Sequence, residues 1–96
     1  MDNIKIIEIK KLRALILKRL YDDSQYELME CILKQSLIGN YTQLEIERQI
    51  KYLQSKAYIK IRPSESSDDE EDIIQLTGGG IDIVEGTGEQ DPGIGF

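Results

Sequence analysis

Few side chains in this 96-residue sequence are of the types that carry out enzyme chemistry. Histidine is absent, which removes the side chain most used for general acid–base catalysis near neutral pH and the commonest metal ligand. The single cysteine, Cys31, lies in an apolar-periodic stretch, which predicts a buried thiol and excludes both an intrachain disulfide and a zinc site built from cysteines. We therefore expect no catalytic residues, no bound metal or cofactor, and no enzyme activity.

Two other patterns could indicate ion or phosphate binding, and each has a simpler interpretation. The acidic run from Asp68 to Asp72 lacks the alternating ligands, central glycine and terminal glutamate of a calcium loop, which favours a solvated charge run. The glycines from Gly78 to Gly80 are not followed by the lysine of a phosphate-binding loop. They are more typical of a turn at a helix entry.

Charge is distributed unevenly along the chain. All 12 Lys and Arg residues lie in residues 1–62 with 8 acidic residues, giving +4, whereas residues 63–96 carry 10 acidic and no basic residues, giving −10 and a total of −6. Such a chain can attract an anion with its first part and repel it with its last third.

The order of elements begins with two helices. Apolar residues recur at helical spacing from Asn3 to Tyr21, which predicts a first helix, although the β-branched stretch Ile4 to Ile9 would also suit a strand. Ser24 and Glu27 match a capping box, which predicts a second helix from about Gln25 to Leu37. The predicted buried face of this helix is Leu28, Cys31, Ile32 and Leu37.

A third helix follows a turn at Gly39 and Asn40. Thr42 and Glu45 form a second capping box, and Tyr41 with Ile46 forms a hydrophobic staple, so we expect a helix from Thr42 to Ala57. The predicted inner face is Ile46, Ile50, Leu53 and Ala57. The opposite arc, which is available to a partner, is Leu44, Arg48, Lys51 and Ser55.

Two short strands and a last helix complete the prediction. Tyr58–Arg62 and Ile73–Leu76 alternate as strands of an antiparallel hairpin, and the ten residues from Pro63 to Asp72 would form a mobile wing between them. Thr77 would cap a weak helix that ends near Glu85. We expect residues 1–86 to form one domain with an N-terminal helical extension, and residues 87–96 to form a flexible tail.

The predicted fold is therefore mainly α with a small antiparallel β hairpin, in the order of a winged helix-turn-helix. The string from Tyr52 and Leu53 to Ala57, Tyr58 and Ile59 resembles the end of a winged-helix recognition helix and its following strand, with alanine where glycine is usual. A longer string resembles the closing segment of short, uncharacterised winged-helix proteins of Mu-like phages and prophages: Leu76, Thr77, Gly80, Ile81, Asp82, Glu85, Gly86, Thr87, Asp91, Pro92, Gly93 and Ile94. The resemblance implies a DNA-binding fold of phage or prophage origin.

Two functions remain open on the sequence. The first is a transcriptional regulator that binds double-stranded DNA, with the contacts expected from Thr42, Gln43, Arg48, Lys51 and Ser55. The second is a protein-interaction module whose acidic C-terminal third docks a basic protein partner. A homodimer suits the first, since one module offers little contact area on DNA. We expect a cytoplasmic protein without a membrane partner, because the sequence shows neither a membrane-spanning apolar run nor a signal peptide.

Overall fold

Four helices and three short strands are present in the computed structural model, which describes residues 3–64 and 71–96. In chain order they are α1, Asn3–Asp22; β1, Glu27–Met29; α2, Glu30–Leu37; α3, Gln43–Ser55; β2, Ile59–Pro63; β3, Asp72–Leu76; and α4, Gly78–Glu85. The strands form one antiparallel sheet in the order β1-β3-β2. The protein is mainly helical as predicted, with a three-stranded sheet in place of a two-stranded hairpin.

Helix α1 is continuous from Asn3, so the alternative of a strand over Ile4 to Ile9 is wrong. Its buried residues begin at the middle of the helix and cover a broad arc of its surface: Leu12, Ala14, Ile16, Leu17 and Leu20. The first two turns extend beyond this core, and Ile7 on them is 51% exposed. The amphipathic pattern of the sequence therefore marks α1 correctly, although only its second half lies in the core.

The second helix begins at Glu30 and not near Gln25, because the chain before it forms strand β1. The predicted capping box of Ser24 and Glu27 is wrong. The carboxylate of Asp23 accepts the backbone N–H of Gln25 at 2.9 Å, and Glu27 is the first residue of β1. A strand of three residues is too short to show an alternating pattern, so the sequence could not reveal it.

The buried face of α2 also differs from the prediction. Leu33 and Leu37, one turn apart, are buried, whereas Ile32 is 47% exposed. Cys31 is partly exposed, and Leu28 lies in β1 and is partly buried. Of the predicted face, Leu37 is confirmed, whereas full burial of Cys31 and Ile32 is wrong, because the later start of the helix changes which residues face the core.

Strands β2 and β3 form the predicted hairpin, with Ile59 opposite Leu76 and Ile61 opposite Ile74. Strand β1 pairs with the other edge of β3 and places Leu28 opposite Ile74. The side chains of Ile59, Ile74 and Leu76 are buried beneath the helices. Most of the predicted mobile wing, residues 65–70, lies outside the described residues.

Thr77 caps α4 as predicted, its hydroxyl accepting the N–H of Gly80 at 3.1 Å. The glycines form the first turn of this helix. Gly80 is buried because the helix passes directly over the backbone of Tyr58. A Cβ at Gly80 would overlap the Tyr58 carbonyl oxygen and lie 2.6 Å from Leu76 Cδ1. This close approach requires glycine at position 80.

Residues 91–95 pack against the helices, so the expectation of a loose tail is wrong for this segment. Ile94 is 7% exposed and belongs to the core. The N–H of Gly95 donates to the Lys10 carbonyl at 3.0 Å, and Arg13 Nη1 donates to the Gly93 carbonyl at 3.0 Å. A glycine-rich composition lowers helix and strand propensity, but it does not prevent tertiary contacts.

A hydrogen bond between Tyr58 and Asp91 holds the start of this segment. The Tyr58 hydroxyl donates to Asp91 Oδ2 at 2.5 Å, and Lys56 Nζ lies 3.4 Å from the same oxygen. The hydrogen bond to Asp91, with burial, raises the pKa of Tyr58 to about 12. The same hydrogen bond outweighs burial and lowers the pKa of Asp91. The chain after α3 is thereby joined to the C-terminal segment.

Helix α3 ends in a Schellman motif, in which the residue after the C-cap is left-handed. The N–H of Ala57 donates to the Gln54 carbonyl at 3.0 Å, and that of Tyr58 to the Leu53 carbonyl at 3.1 Å. Ala57 has a φ of 63° and is exposed. Its predicted place on the inner face of α3 is therefore wrong, because the helix stops at Ser55 and the chain turns.

We expect Ala57→Gly to raise the free energy of unfolding by about 0.5–1 kcal/mol. A Cβ in the left-handed region costs about 1–2 kcal/mol, and the greater freedom of glycine in the unfolded chain cancels part of the gain. Urea denaturation measures the change. The control Ala14→Gly, at a buried position inside α1, should lower stability. A lower stability for Ala57→Gly would contradict the strain argument.

Candidate nucleic-acid interface

A tight turn connects α2 to α3 and sets the direction in which α3 begins. Gly39 has a φ of 120°, a conformation that residues with a Cβ rarely adopt. An isolated bridge between Ile38 and Tyr41 closes the turn. The turn at Gly39 and Asn40 is thus confirmed.

Thr42 caps α3 as the sequence predicts. Its Oγ1 accepts the backbone N–H of Glu45 at 3.1 Å, and its hydroxyl lies 3.1 Å from Glu45 Oε1. Tyr41 packs against the core in which Ile46 is fully buried, as expected for a hydrophobic staple. These contacts place the first turn of α3.

The inner face of α3 combines apolar packing with a polar anchor. Three apolar residues are buried as predicted: Ile46, Ile50 and Leu53. Gln49 is buried beside them, and its side-chain oxygen accepts Nε of Arg13 at 2.8 Å. The same guanidinium lies 3.5 Å from the centroid of the Tyr52 ring. This contact with α1, which no local pattern indicates, restrains the rotation of α3 about its axis.

The opposite arc of α3 is exposed as predicted: Leu44, Arg48, Lys51 and Ser55. Arg48 and Lys51 are three residues apart and therefore project from adjacent turns on one side. Across residues 3–64 and 71–96, neither side chain forms a hydrogen bond or an ion pair within 4.0 Å. Both cationic groups are accessible to a ligand, although the charge of Lys51 also helps to lower the pKa of Glu47.

The other predicted contact residues differ in whether their polar groups are free to bind DNA. The hydroxyls of Thr42 and Ser55 serve the helix itself, Thr42 as N-cap and Ser55 by donating to the Tyr52 carbonyl at 2.6 Å. Gln43 is exposed in the first turn, near enough to the Glu47 carboxylate to contribute to the lowering of its pKa. The chemistry of the arc therefore rests on Arg48 and Lys51, with Gln43 beside them.

Glu47 would repel an anion at this surface, and a lysine of α2 offsets part of its charge. Lys34 Nζ lies 2.8 Å from Glu47 Oε1 and 2.9 Å from Glu30 Oε1. Burial of the ammonium opposes its charge, but the two carboxylates outweigh burial and raise the pKa of Lys34. The hydrogen bond from Lys34 in turn lowers the pKa of Glu47. The spacing of Glu30 and Lys34 is visible in the sequence, whereas the contact with Glu47 is not.

A small polar pocket of about 200 Å³ lies between α2, the start of α3 and the base of the hairpin. Its lining residues are Glu30, Cys31, Lys34, Gln43, Glu71 and Asp72. The Glu71 carboxylate accepts the backbone N–H of Cys31 at 3.2 Å, so it satisfies an amide in the first turn of α2. Burial, followed by the contact with Glu71, raises the pKa of the Cys31 thiol, which disfavours the nucleophilic thiolate.

The acidic run therefore has a structural part at its end. Glu71 acts as a cap for α2 and is not simply solvated, whereas Asp68, Asp69 and Glu70 lie outside the described residues. Within the described ranges, His, Cys, Asp and Glu side chains form no group of three or more that could hold a metal ion.

No family model matches this chain, and no curated protein is significantly similar to it. Among the residues that the structure describes, no helix has the length and apolar character needed to span a membrane. Any assignment of function therefore depends on the geometry of the described residues and on the resemblance seen in the sequence.

Proposed function

We propose that this protein is a small winged helix-turn-helix protein of phage type that binds double-stranded DNA and regulates transcription. The order of elements supports this proposal, because a strand precedes the α2–turn–α3 unit and a hairpin follows it. The sheet order β1-β3-β2 places the first strand beside the second strand of that hairpin. In this fold the helix after the turn enters the major groove.

One observation carries the proposal: the outer face of α3 presents two exposed cations whose side chains form no close ion pair, while a lysine of α2 partly offsets the charge of Glu47. Arg48 and Lys51 are exposed on adjacent turns, and Glu47 is held by Lys34 at 2.8 Å. Arg48 and Lys51 therefore form a local positive patch on a chain that is acidic as a whole, flanked by acidic side chains of the same helix. Arg48 would contact a guanine edge or a phosphate, Lys51 a phosphate, and Gln43 a base near the start of the helix.

The experiment is a salt titration of binding to duplex DNA, with Arg48→Ala/Lys51→Ala as the test variant. We expect the wild-type affinity to fall linearly on a log–log plot against salt concentration. The double variant should bind about tenfold more weakly at low salt, and its slope should be smaller by about 2, because two phosphate or base contacts are lost.

A matched control removes the same charge elsewhere. Lys5→Ala/Arg19→Ala changes two exposed residues of α1 and should leave the salt slope unchanged. Equal weakening by both double variants would show that net charge, and not the face of α3, determines binding. Absence of wild-type binding even at low salt would contradict the proposed function.

A second candidate is a module that docks a basic protein partner. The observation that favours it is the excess of acid beside α3, where Glu71 and Asp72 line the polar pocket with Glu30. Replacing Asp68, Asp69 and Glu70 by amides, while sparing the α2 cap Glu71, separates the two functions. Tighter DNA binding at low salt supports the first function, whereas weaker capture of a polylysine probe without DNA binding supports the second.

A further inference from the structure

The outer face of α1 carries a stripe that is both apolar and basic. Ile7, Lys11, Leu15 and Lys18 fall within an arc of about 80° at 100° per residue. All four are exposed, Ile7 to 51% and Leu15 to 38%. We call these four residues the α1 stripe. Lys11 is 4.0 Å from Glu8, a weak contact between two exposed groups, so its charge remains largely available.

A groove of about 500 Å³ lies between the end of α4 and the C-terminal segment. Its apolar lining includes Ile83, Val84, Pro92 and Phe96, and its exposed acids are Glu85 and Glu89. We call it the C-terminal groove. Phe96 is 56% exposed and adds apolar surface to this groove. The groove therefore combines apolar surface with a rim of negative charge.

The α1 stripe and the C-terminal groove are complementary in charge and in apolar surface. The stripe offers two lysines and two aliphatic side chains, and the groove offers two glutamates and an apolar floor. Residues 63–96 contain no Lys or Arg, so their own segment cannot neutralise the groove. The two surfaces adjoin, since Lys18 Nζ lies 5.7 Å from the centroid of the Phe96 ring.

We propose that the C-terminal groove binds the α1 stripe of a second copy of this chain, and that the exchange is reciprocal across a two-fold axis near Lys18 and Phe96. A two-fold axis at the junction of two adjoining surfaces lets each stripe reach the groove of the other copy, so every contact occurs twice. This doubling raises the buried area toward that of a stable dimer. The proposal does not depend on DNA binding, because the surfaces involved lie on α1, α4 and the C-terminal segment.

The test exchanges the charges of the two surfaces. One variant carries Lys11→Glu/Lys18→Glu, and the other carries Glu85→Lys/Glu89→Lys. Sedimentation velocity from about 1 to about 300 µM reports the association of each variant and of the wild type. We expect the wild type to dimerise and each variant alone to associate about 100-fold more weakly, because like charges then face one another at both contacts.

The equimolar mixture of the two variants is the decisive sample. There, the acidic stripe meets a basic groove and the basic stripe meets an acidic groove, so a heterodimer should form with an affinity close to that of the wild-type dimer. Misfolded variants could not form this heterodimer when they are mixed. Circular dichroism of each variant alone verifies that it is folded. A monomeric wild type, variants that still dimerise, or a mixture that stays monomeric would each overturn the proposal. A monomer that instead binds a basic amphipathic peptide would assign the groove to another protein.

Discussion

Gly80→Ala is expected to lower the free energy of unfolding by about 3 kcal/mol. Gly80 lies in the first turn of α4, where the helix passes over the backbone between α3 and β2. A Cβ there would overlap the Tyr58 carbonyl oxygen and lie 2.6 Å from Leu76 Cδ1. The carbonyl oxygen belongs to the backbone and itself accepts the N–H of Thr77 at 3.0 Å, so it cannot move without loss of a second contact. The helix would have to shift away from the sheet.

The control is Gly78→Ala, two residues earlier in the same helix. A Cβ at Gly78 would meet no heavy atom within 4 Å. This variant should therefore leave stability unchanged or raise it by up to about 1 kcal/mol, since alanine is the better helix former. Urea denaturation of both variants compares them directly. Equal stability of the two would show that α4 does not pass over Tyr58 as closely as described.

Ile94→Ala is expected to lower the free energy of unfolding by about 2–3 kcal/mol, near the lower end for a buried isoleucine. The Ile94 side chain is 7% exposed and packs in the core formed by the helices and the sheet. Its segment is also held by backbone hydrogen bonds from Ile94 to Asp91 at 3.1 Å and from Gly95 to Lys10 at 3.0 Å. Removal of the side chain leaves a cavity. Because this short segment can move to fill part of it, the decrease in stability is moderate.

Phe96→Ala is the matched control, because Phe96 lies two residues away and is 56% exposed. At concentrations where the chain is monomeric, its truncation should change stability by less than about 0.5 kcal/mol. A similarly small effect for Ile94→Ala would restore the interpretation of residues 87–96 as a loose tail. Near-ultraviolet circular dichroism would add whether the tyrosines at Tyr52 and Tyr58 keep their packing.

The residues that resemble the phage proteins form contacts that stabilise the fold. Thr77 caps α4, Gly80 permits the close approach to Tyr58, and Gly86 ends the helix in a left-handed conformation with φ of 72°. Asp91 binds the Tyr58 hydroxyl, and Ile94 enters the core. Each of these residues has a reason to be of its type without reference to a ligand. The resemblance therefore bears on the fold more than on what the protein binds.

The candidate site was predicted from the sequence in outline. The exposed arc of α3 follows from helical periodicity, because Ile46, Ile50 and Leu53 define an inner face and Arg48 and Lys51 must then lie opposite. The electrostatics of the site could not be predicted in the same way. The contact of Lys34 with Glu47 joins two helices, and its existence depends on how they pack.

The sequence by itself determined the elements whose signals are local. The α1 and α3 helices, the turn at Gly39, the Thr42 and Thr77 caps and the β2–β3 hairpin all follow from capping residues and periodicity within a few positions. Tertiary structure alone decided the third strand, since β1 exists through pairing with β3, which lies far along the chain. It also decided the cap of α2 by Glu71 and the packing of Ile94. The physical reason is that contacts between distant segments stabilise these features. Such contacts produce no hydrophobic periodicity in either segment alone, so a local pattern cannot predict them.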